Sequence, residues 1–253
     1  MKIRQQAVGA GLTLLLTGSI ALAADPAPIP AEKTNWVTTA AAGATLTRGN
    51  SENFLVTLSL DTKRVWEHDD LAFGISGGYG DSTTDNKYTQ NTKFLQGFGQ
   101  YNYRLTERFY VGLRLDGQYD GIAGVDYRIK ITPLAGYYLI KDDKMSLAAE
   151  VGPSAVFEKL QGETEDTYCA IRFAERFEYK LTATTKIWET LGYAPQVDDW
   201  VANYLLNAEV GIDAAITTHL SLRVVFQDMY ASEPAPGKKN NDIRLLAGVA
   251  YKF

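Results

Sequence analysis

Apolar and polar side chains alternate one for one along most of the chain from Trp36 to Phe253, and that pattern leaves few folds open. A period of two is the period of a β-strand, whose successive side chains point to opposite faces. Between Arg108 and Asp120, Phe109, Val111, Leu113, Leu115 and Tyr119 fall on one side, and Tyr110, Arg114, Asp116, Gln118 and Asp120 on the other. The same alternation sets Phe54, Val56, Leu58 and Leu60 against Thr57, Ser59, Asp61 and Lys63. At the end of the chain it sets Ile243, Leu245, Ala247, Val249, Tyr251 and Phe253 against Asp242, Arg244, Gly248 and Lys252. Polar breaks divide the run into about twelve strands, near 36–48, 53–66, 70–81, 90–104, 108–120, 126–140, 145–158, 166–180, 185–195, 202–214, 219–230 and 241–253. At about 11–15 residues, they are roughly twice the soluble mean of about 5–6. A tilted strand needs about 9–11 residues to cross a bilayer, so strand length points to a membrane.

The breaks alternate as well. They are tight at Glu67–Asp69, Leu105–Glu107, Lys141–Lys144, Leu181–Thr184 and Ala215–Thr218. They are mostly longer and richer in Gly, Asp and Pro at Gly49–Glu52, Ser82–Thr89, Gly121–Val125, Lys159–Glu165, Gln196–Val201 and Ala231–Asn240. Short turns on one rim and longer loops on the other are the pattern of outer-membrane barrels, whose short turns face the periplasm. The expected fold is all-β: a closed, antiparallel, up-and-down transmembrane β-barrel of about twelve strands over residues 36–253.

The polar face decides which way the strands look. It carries Asp61, Lys63, Arg114, Asp116, Arg128, Lys130, Arg172, Arg176, Glu209, Asp213, Arg223 and Arg244, too many ions for a dry core, where each unpaired one costs several kcal/mol. These twelve residues are expected to line a wet or densely paired lumen, with the apolar set against lipid. Around the 121–125 loop, hairpin geometry sets Asp116 opposite Lys130 and Gln118 opposite Arg128. Tyr and Trp gather near strand ends (Trp36, Trp66, Tyr101, Tyr103, Tyr119, Tyr127, Tyr137, Tyr179, Tyr204 and Tyr251), where the aromatic girdles of a membrane barrel lie. The competing arrangement is a soluble periplasmic β-barrel with its apolar face inward, binding an apolar ligand.

Residues 1–23 read as a signal peptide: Lys2 and Arg4, the apolar run Ala7–Thr17, and the small-residue site Ala21-x-Ala23. Residues 24–35, Pro-rich at first, read as a flexible leader. Nothing downstream approaches the ~18 consecutive apolar residues of a membrane helix. One cysteine excludes an intrachain disulfide framework. A net charge of −5 with no basic block argues against nucleic acid as a partner.

Five short stretches carry a resemblance. They are Leu46-Thr47-Arg48-Gly49-Asn50-Ser51-Glu52, Gly124-Val125-Asp126-Tyr127-Arg128, Glu150-Val151-Gly152-Pro153, Glu178-Tyr179-Lys180-Leu181-Thr182 and Pro234-Ala235-Pro236-Gly237-Lys238-Lys239. In their order and spacing the chain resembles the DUF481 family, described as salt-induced outer membrane proteins. The resemblance implies a Gram-negative outer-membrane barrel of no established activity, with no catalytic residues and no cofactor to carry over.

Little in the sequence suggests catalysis. His68 and His219, the two histidines, fall at the short-turn rim, away from the outer leaflet where a barrel enzyme acting on lipid or peptide would keep its site. No catalytic, cofactor or metal residue is singled out, and a non-enzymatic structural, stress-associated role or weak passage of a small solute is expected. Expected partners are outer-membrane lipid, lipopolysaccharide and the barrel-assembly machinery, the last through Tyr251 and Phe253 of the C-terminal strand. Acidic loop residues Asp81, Asp85, Glu163, Glu165, Asp166, Asp198 and Asp199 read as a solvated surface, able at most to bridge lipid phosphates through divalent cations. Pro133 and Pro153 lie eight and nine residues from their shared turn, so a bulge or weakened pairing, and a lateral opening, is expected between them. Cys169 is expected to face outward beside Ile171 and Phe173.

Overall fold

In the computed structural model, which describes residues 36–47, 51–84 and 87–253, twelve strands form. They are β1 (Val37–Thr47), β2 (Ser51–Val65), β3 (Asp69–Thr84), β4 (Lys87–Arg104), β5 (Phe109–Asp120), β6 (Val125–Lys141), β7 (Met145–Leu160), β8 (Glu165–Lys180), β9 (Thr185–Pro195), β10 (Tyr204–Ala215), β11 (Leu220–Ala231) and β12 (Asn241–Lys252). Each pairs antiparallel with the next and β12 returns to β1, closing the sheet in up-and-down order. Closure gives the edge strands partners, which a hydrocarbon surrounding could not supply. The expected signal peptide and leader, Arg48–Asn50 of the first loop, and Asp85 lie outside the described residues.

The rims differ, though less than the sequence suggests. Ser82–Thr89 is not a long loop: β3 runs on to Thr84 and β4 restarts at Lys87, because alternating Thr and Tyr residues keep pairing. Tyr79 and Tyr88, outward on these two strands, share a hydroxyl–hydroxyl hydrogen bond of 3.0 Å. The asymmetry comes chiefly from two loops, 196–203 and 232–240.

The outer surface is apolar. Leu58, Leu60, Ile75, Leu95, Leu115, Ile129, Val151, Val210, Leu222 and Leu245 are all exposed, which contradicts a soluble barrel with an inward apolar face. Aromatic rings band this surface. Trp36 packs on Trp66 and Phe73 near the short-turn rim. Across β8–β11 a continuous row runs Phe173–Tyr193–Tyr204–Tyr230, with Trp200 against Phe173. Cys169 is exposed, on the same face of β8 as Phe173.

Pro133 and Pro153 sit at the same level of β6 and β7, and the ladder skips them: pairing stops at Ile131↔Ala155 and resumes at Ala135↔Val151. The register is the same on both sides, so this is a gap in the ladder and not the bulge considered. It does not open the wall either. Thr132 and Ser154 hydroxyls meet at 2.8 Å, and a Cβ on Gly152 would lie 2.0 Å from the Pro133 carbonyl oxygen. Two prolines remove ladder donors, and a glycine lets the bare backbones press together.

Candidate functional site: the barrel interior

The interior is built in layers. On four cross-strand pairs a glycine stands opposite an inward aromatic: Gly78↔Phe94 and Gly74↔Phe98, Tyr110↔Gly136 and Gly211↔Trp188. The missing side chain lets the ring lie against the wall; a Cβ at Gly136 or Gly211 would come within 2.1 or 2.0 Å of its partner ring. Three of these rings carry a guanidinium. Arg244 lies 4.0 Å from the Phe94 centroid, Arg114 4.5 Å from Phe98 and Arg223 5.3 Å from Trp188, within cation–π range. Each arginine then holds a carboxylate: Arg114 grips Asp116 with three contacts of 2.8–3.1 Å. Arg223 donates to Asp213 at 2.8 and 2.9 Å and to Asp61 at 3.1 Å, and Arg244 pairs with Asp120.

A second system centres on Glu150, whose side chain is 0% exposed. It accepts hydrogen bonds from Gln100 Nε2 (2.8 Å), Tyr110 Oη (2.9 Å) and Arg172 Nη1 (2.9 Å). Gln100 accepts from Arg114 at 2.9 Å and donates to Asn102, which donates to Asp70. Nearby, Arg128 pairs with Glu158 at 2.5 Å. On the other side, Glu209 accepts from Trp188 Nε1 (2.9 Å) and Gln227 (2.8 Å).

All twelve charged residues singled out above can now be placed. Asp61, Asp116, Asp213, Arg114, Arg128, Arg172, Arg223, Arg244 and Glu209 belong to these bonded groups. Lys63, Lys130 and Arg176 make no direct ion pair among the described residues. Asp116 does stand opposite Lys130, and Gln118 opposite Arg128. The contacts differ from that pairing: Asp116 is taken by Arg114 two residues away on its own strand, and Arg128 by Glu158 directly across β7. A planar fork binding a carboxylate at two points outcompetes a single ammonium across the ladder. Sequence reasoning missed Glu150, Glu158 and the inward Phe94, Phe98 and Trp188, and it set Tyr110 and Asp120 on the polar face without giving them a role. Asp120 left a signal, since it precedes Gly121 at a turn: its Oδ1 accepts from the Ile122 and Ala123 amides while Oδ2 holds Arg244. His68 and His219 lie in or beside the 66–68 and 216–219 turns, on the short-turn rim.

Several contacts cross the ring. Asp120 of β5 meets Arg244 of β12, and Gln118 of β5 lies 3.9 Å from the Met229 sulfur of β11, on strands five and six places apart among twelve. Above them the 232–240 loop folds across the mouth. Its Ala235 is only 2% exposed and packs with Val125 and Leu160 on the far wall. Gly124 makes room there: its φ of 75° is open to glycine, and a Cβ would lie 2.9 Å from that of Ala235. Under the loop lies a cavity of about 30 Å³ bordered by Gln118, Lys130, Asn207 and Lys239; a second, of about 50 Å³, lies beside Phe94, Val225 and Leu246. At ~10–15 Å³ per water, the first holds only two or three.

Among solved structures, the chain resembles the NanC porin (8% identity, 85% of this chain and 96% of that one, TM-score 0.48) and the KdgM porin (11%, 87% and 99%, 0.44). It also resembles the translocator domain of the autotransporter NalP from Neisseria meningitidis (14%, 86% and 87%, 0.45). In sequence it is 23% identical over 213 residues to the uncharacterised protein YdiY of Escherichia coli (strain K12), covering 84% of this chain and 81% of that one. The family model described as "Protein of unknown function, DUF481" matches residues 40–253, and the chain belongs to that family.

Proposed function

We propose that this chain is an integral barrel of the bacterial outer membrane, exported on residues 1–23 and delivered to the assembly machinery through a C-terminal strand ending in Tyr251 and Phe253. Its lumen is shut to solutes at rest, and its role is to hold the envelope rather than to catalyse. The observation that carries this reading is the set of contacts across the ring, Arg244–Asp120 and Gln118–Met229, beneath a loop that seats Ala235 on the opposite wall. Outer-membrane lipid meets the apolar belt, and lipopolysaccharide the loop rim.

A second reading, weak passage of a small polar solute, draws on Lys130, which makes no direct ion pair among the described residues and borders the cavity under the loop. Planar-bilayer recording of the refolded full chain separates the two. The wild type is expected to give no steady conductance; regular open steps would establish the channel instead. Replacing 233–238 by a short Gly-Ser linker together with Arg244→Ala is expected to produce small conductance steps. In that background Arg128→Ala and Arg114→Ala should change ion selectivity if those groups face the pathway. A heat-modifiable shift in gel mobility checks that each variant is a closed barrel.

A further inference from the structure

The β1–β12 junction carries the shortest ladder of the twelve; the next shortest, β8–β9, has eight pairs. The β1–β12 ladder has four pairs, from Thr39↔Lys252 to Ala42↔Val249, whereas β12 pairs with β11 from Asn241 to Tyr251 and β1 with β2 from Val37 to Thr47. The bottom of the seam is held by the Phe253 amide on the Thr38 carbonyl (2.9 Å). Just above the fourth pair the strands cross closely. A Cβ at Gly248 would lie 2.3 Å from the Ala42 carbonyl oxygen, and one at Gly43 2.4 Å from that of Ala247. Beyond the crossing, Ala44–Leu46 and Leu245–Ala247 stand outside the ladder.

The second cavity, about 50 Å³, lies at this level. Its inner lining is Phe94, Val225 and Leu246 with Gly43, edged by the hydroxyls of Thr57, Ser59 and Ser76, and it reaches Leu58 and Ala247 on the outward face. Arg223 also borders it, with its guanidinium turned to Asp213 and Asp61. The seam is flanked by exposed Leu58 (61%) and Leu245 (66%), and the outer mouth is roofed by the 232–240 loop. On the reading of the belt as membrane-facing, what touches this gap from outside is hydrocarbon.

We propose that the outer half of the β1–β12 seam is a lateral portal that admits a single alkyl chain of a membrane lipid, whose end rests against Phe94, Val225 and Leu246. The cavity has about a third of the ~150 Å³ that holds a benzene ring, so it takes the last carbons of a chain. Deeper entry requires the four-pair ladder to part further. The proposal rests on the membrane reading, and one experiment separates the two.

The full chain, with Cys169→Ala to remove the native thiol, is reconstituted in phosphatidylcholine vesicles containing a phospholipid with a diazirine at the end of one acyl chain. After irradiation the adducts are mapped by peptide mass spectrometry. Adducts are expected at Phe94, Val225 or Leu246 as well as at Leu58 and Leu245. A seam lock, Ala44→Cys with Ala247→Cys, should lower the inner adducts at least fivefold when oxidised, leave the outer ones unchanged, and be reversed by reductant. Leu246→Trp, which fills the cavity without a crosslink, should lower labelling of Phe94 and Val225 similarly. Outer adducts without inner ones, or inner adducts indifferent to both variants, overturn the portal; absence of outer adducts overturns the membrane reading itself.

Discussion

Glu150→Ala is expected to destabilise the barrel by about 3–5 kcal/mol, the usual cost of stranding one partner of a buried ion pair. Arg172 keeps its charge but loses the carboxylate at 2.9 Å, and the Gln100 amide and Tyr110 hydroxyl lose their acceptor at the same stroke. Glu150→Gln retains an acceptor and the shape, so its cost should be roughly half. The informative variant is Glu150→Leu with Arg172→Met, which removes both charges together; it should recover most of the loss, because replacing a buried pair by apolar groups is often nearly neutral. Urea midpoints of refolded protein in detergent or vesicles measure all three. If the alanine variant unfolds within about 0.5 kcal/mol of wild type, the Glu150 cluster is not what holds β4, β5, β7 and β8 together.

The second large effect is expected at Gly152. A methyl there would sit 2.0 Å from the Pro133 carbonyl oxygen and 2.9 Å from the Leu134 Cα, and backbone, unlike a side-chain tip, cannot swing aside. Gly152→Ala should therefore cost about 2–3 kcal/mol, in the range of a steric fault in a well-packed interior. Gly152→Val should largely prevent closure and appear as loss of the heat-modifiable band. Gly117→Ala is the control. Nothing lies within 4 Å of a Cβ at that position, so it should change stability by less than about 0.5 kcal/mol.

These two residues also mark how far sequence reasoning reaches. The strands were legible because alternation is a local property, and every expected boundary falls within three residues of the observed one. Which face is outside was legible from Arg114, Asp116 and Arg128, whose charges could not share a dry core. Partner choice was not legible. That Asp116 goes to Arg114 and Arg128 to Glu158 depends on rotamers and on which neighbouring strand offers a second hydrogen bond. Nor could alternation distinguish an inward Phe94 or Trp188 from a misplaced outward one, since the glycine that accommodates each ring lies on a neighbouring strand. The proline pair was located correctly, but its consequence turned on Gly152, whose close approach to Pro133 no residue count reveals. The interrupted seam between β1 and β12 joins the two ends of the barrel and leaves no trace in either segment alone.

The link from Arg244 to Asp120 joins residues 124 positions apart, and Arg223 to Asp61 spans 162. The first cannot form until β12, which carries Arg244, is in place, and the second until β11, which carries Arg223, has come round to β2. Through most of assembly the carboxylates of Asp61 and Asp120 must stay hydrated in a half-built cylinder, and only the final hairpin lets that water leave. Such long-range closure is slow by nature. Maturation should thus end in a single late dehydration step, and a chain stopped before residue 241 should remain permanently wet inside.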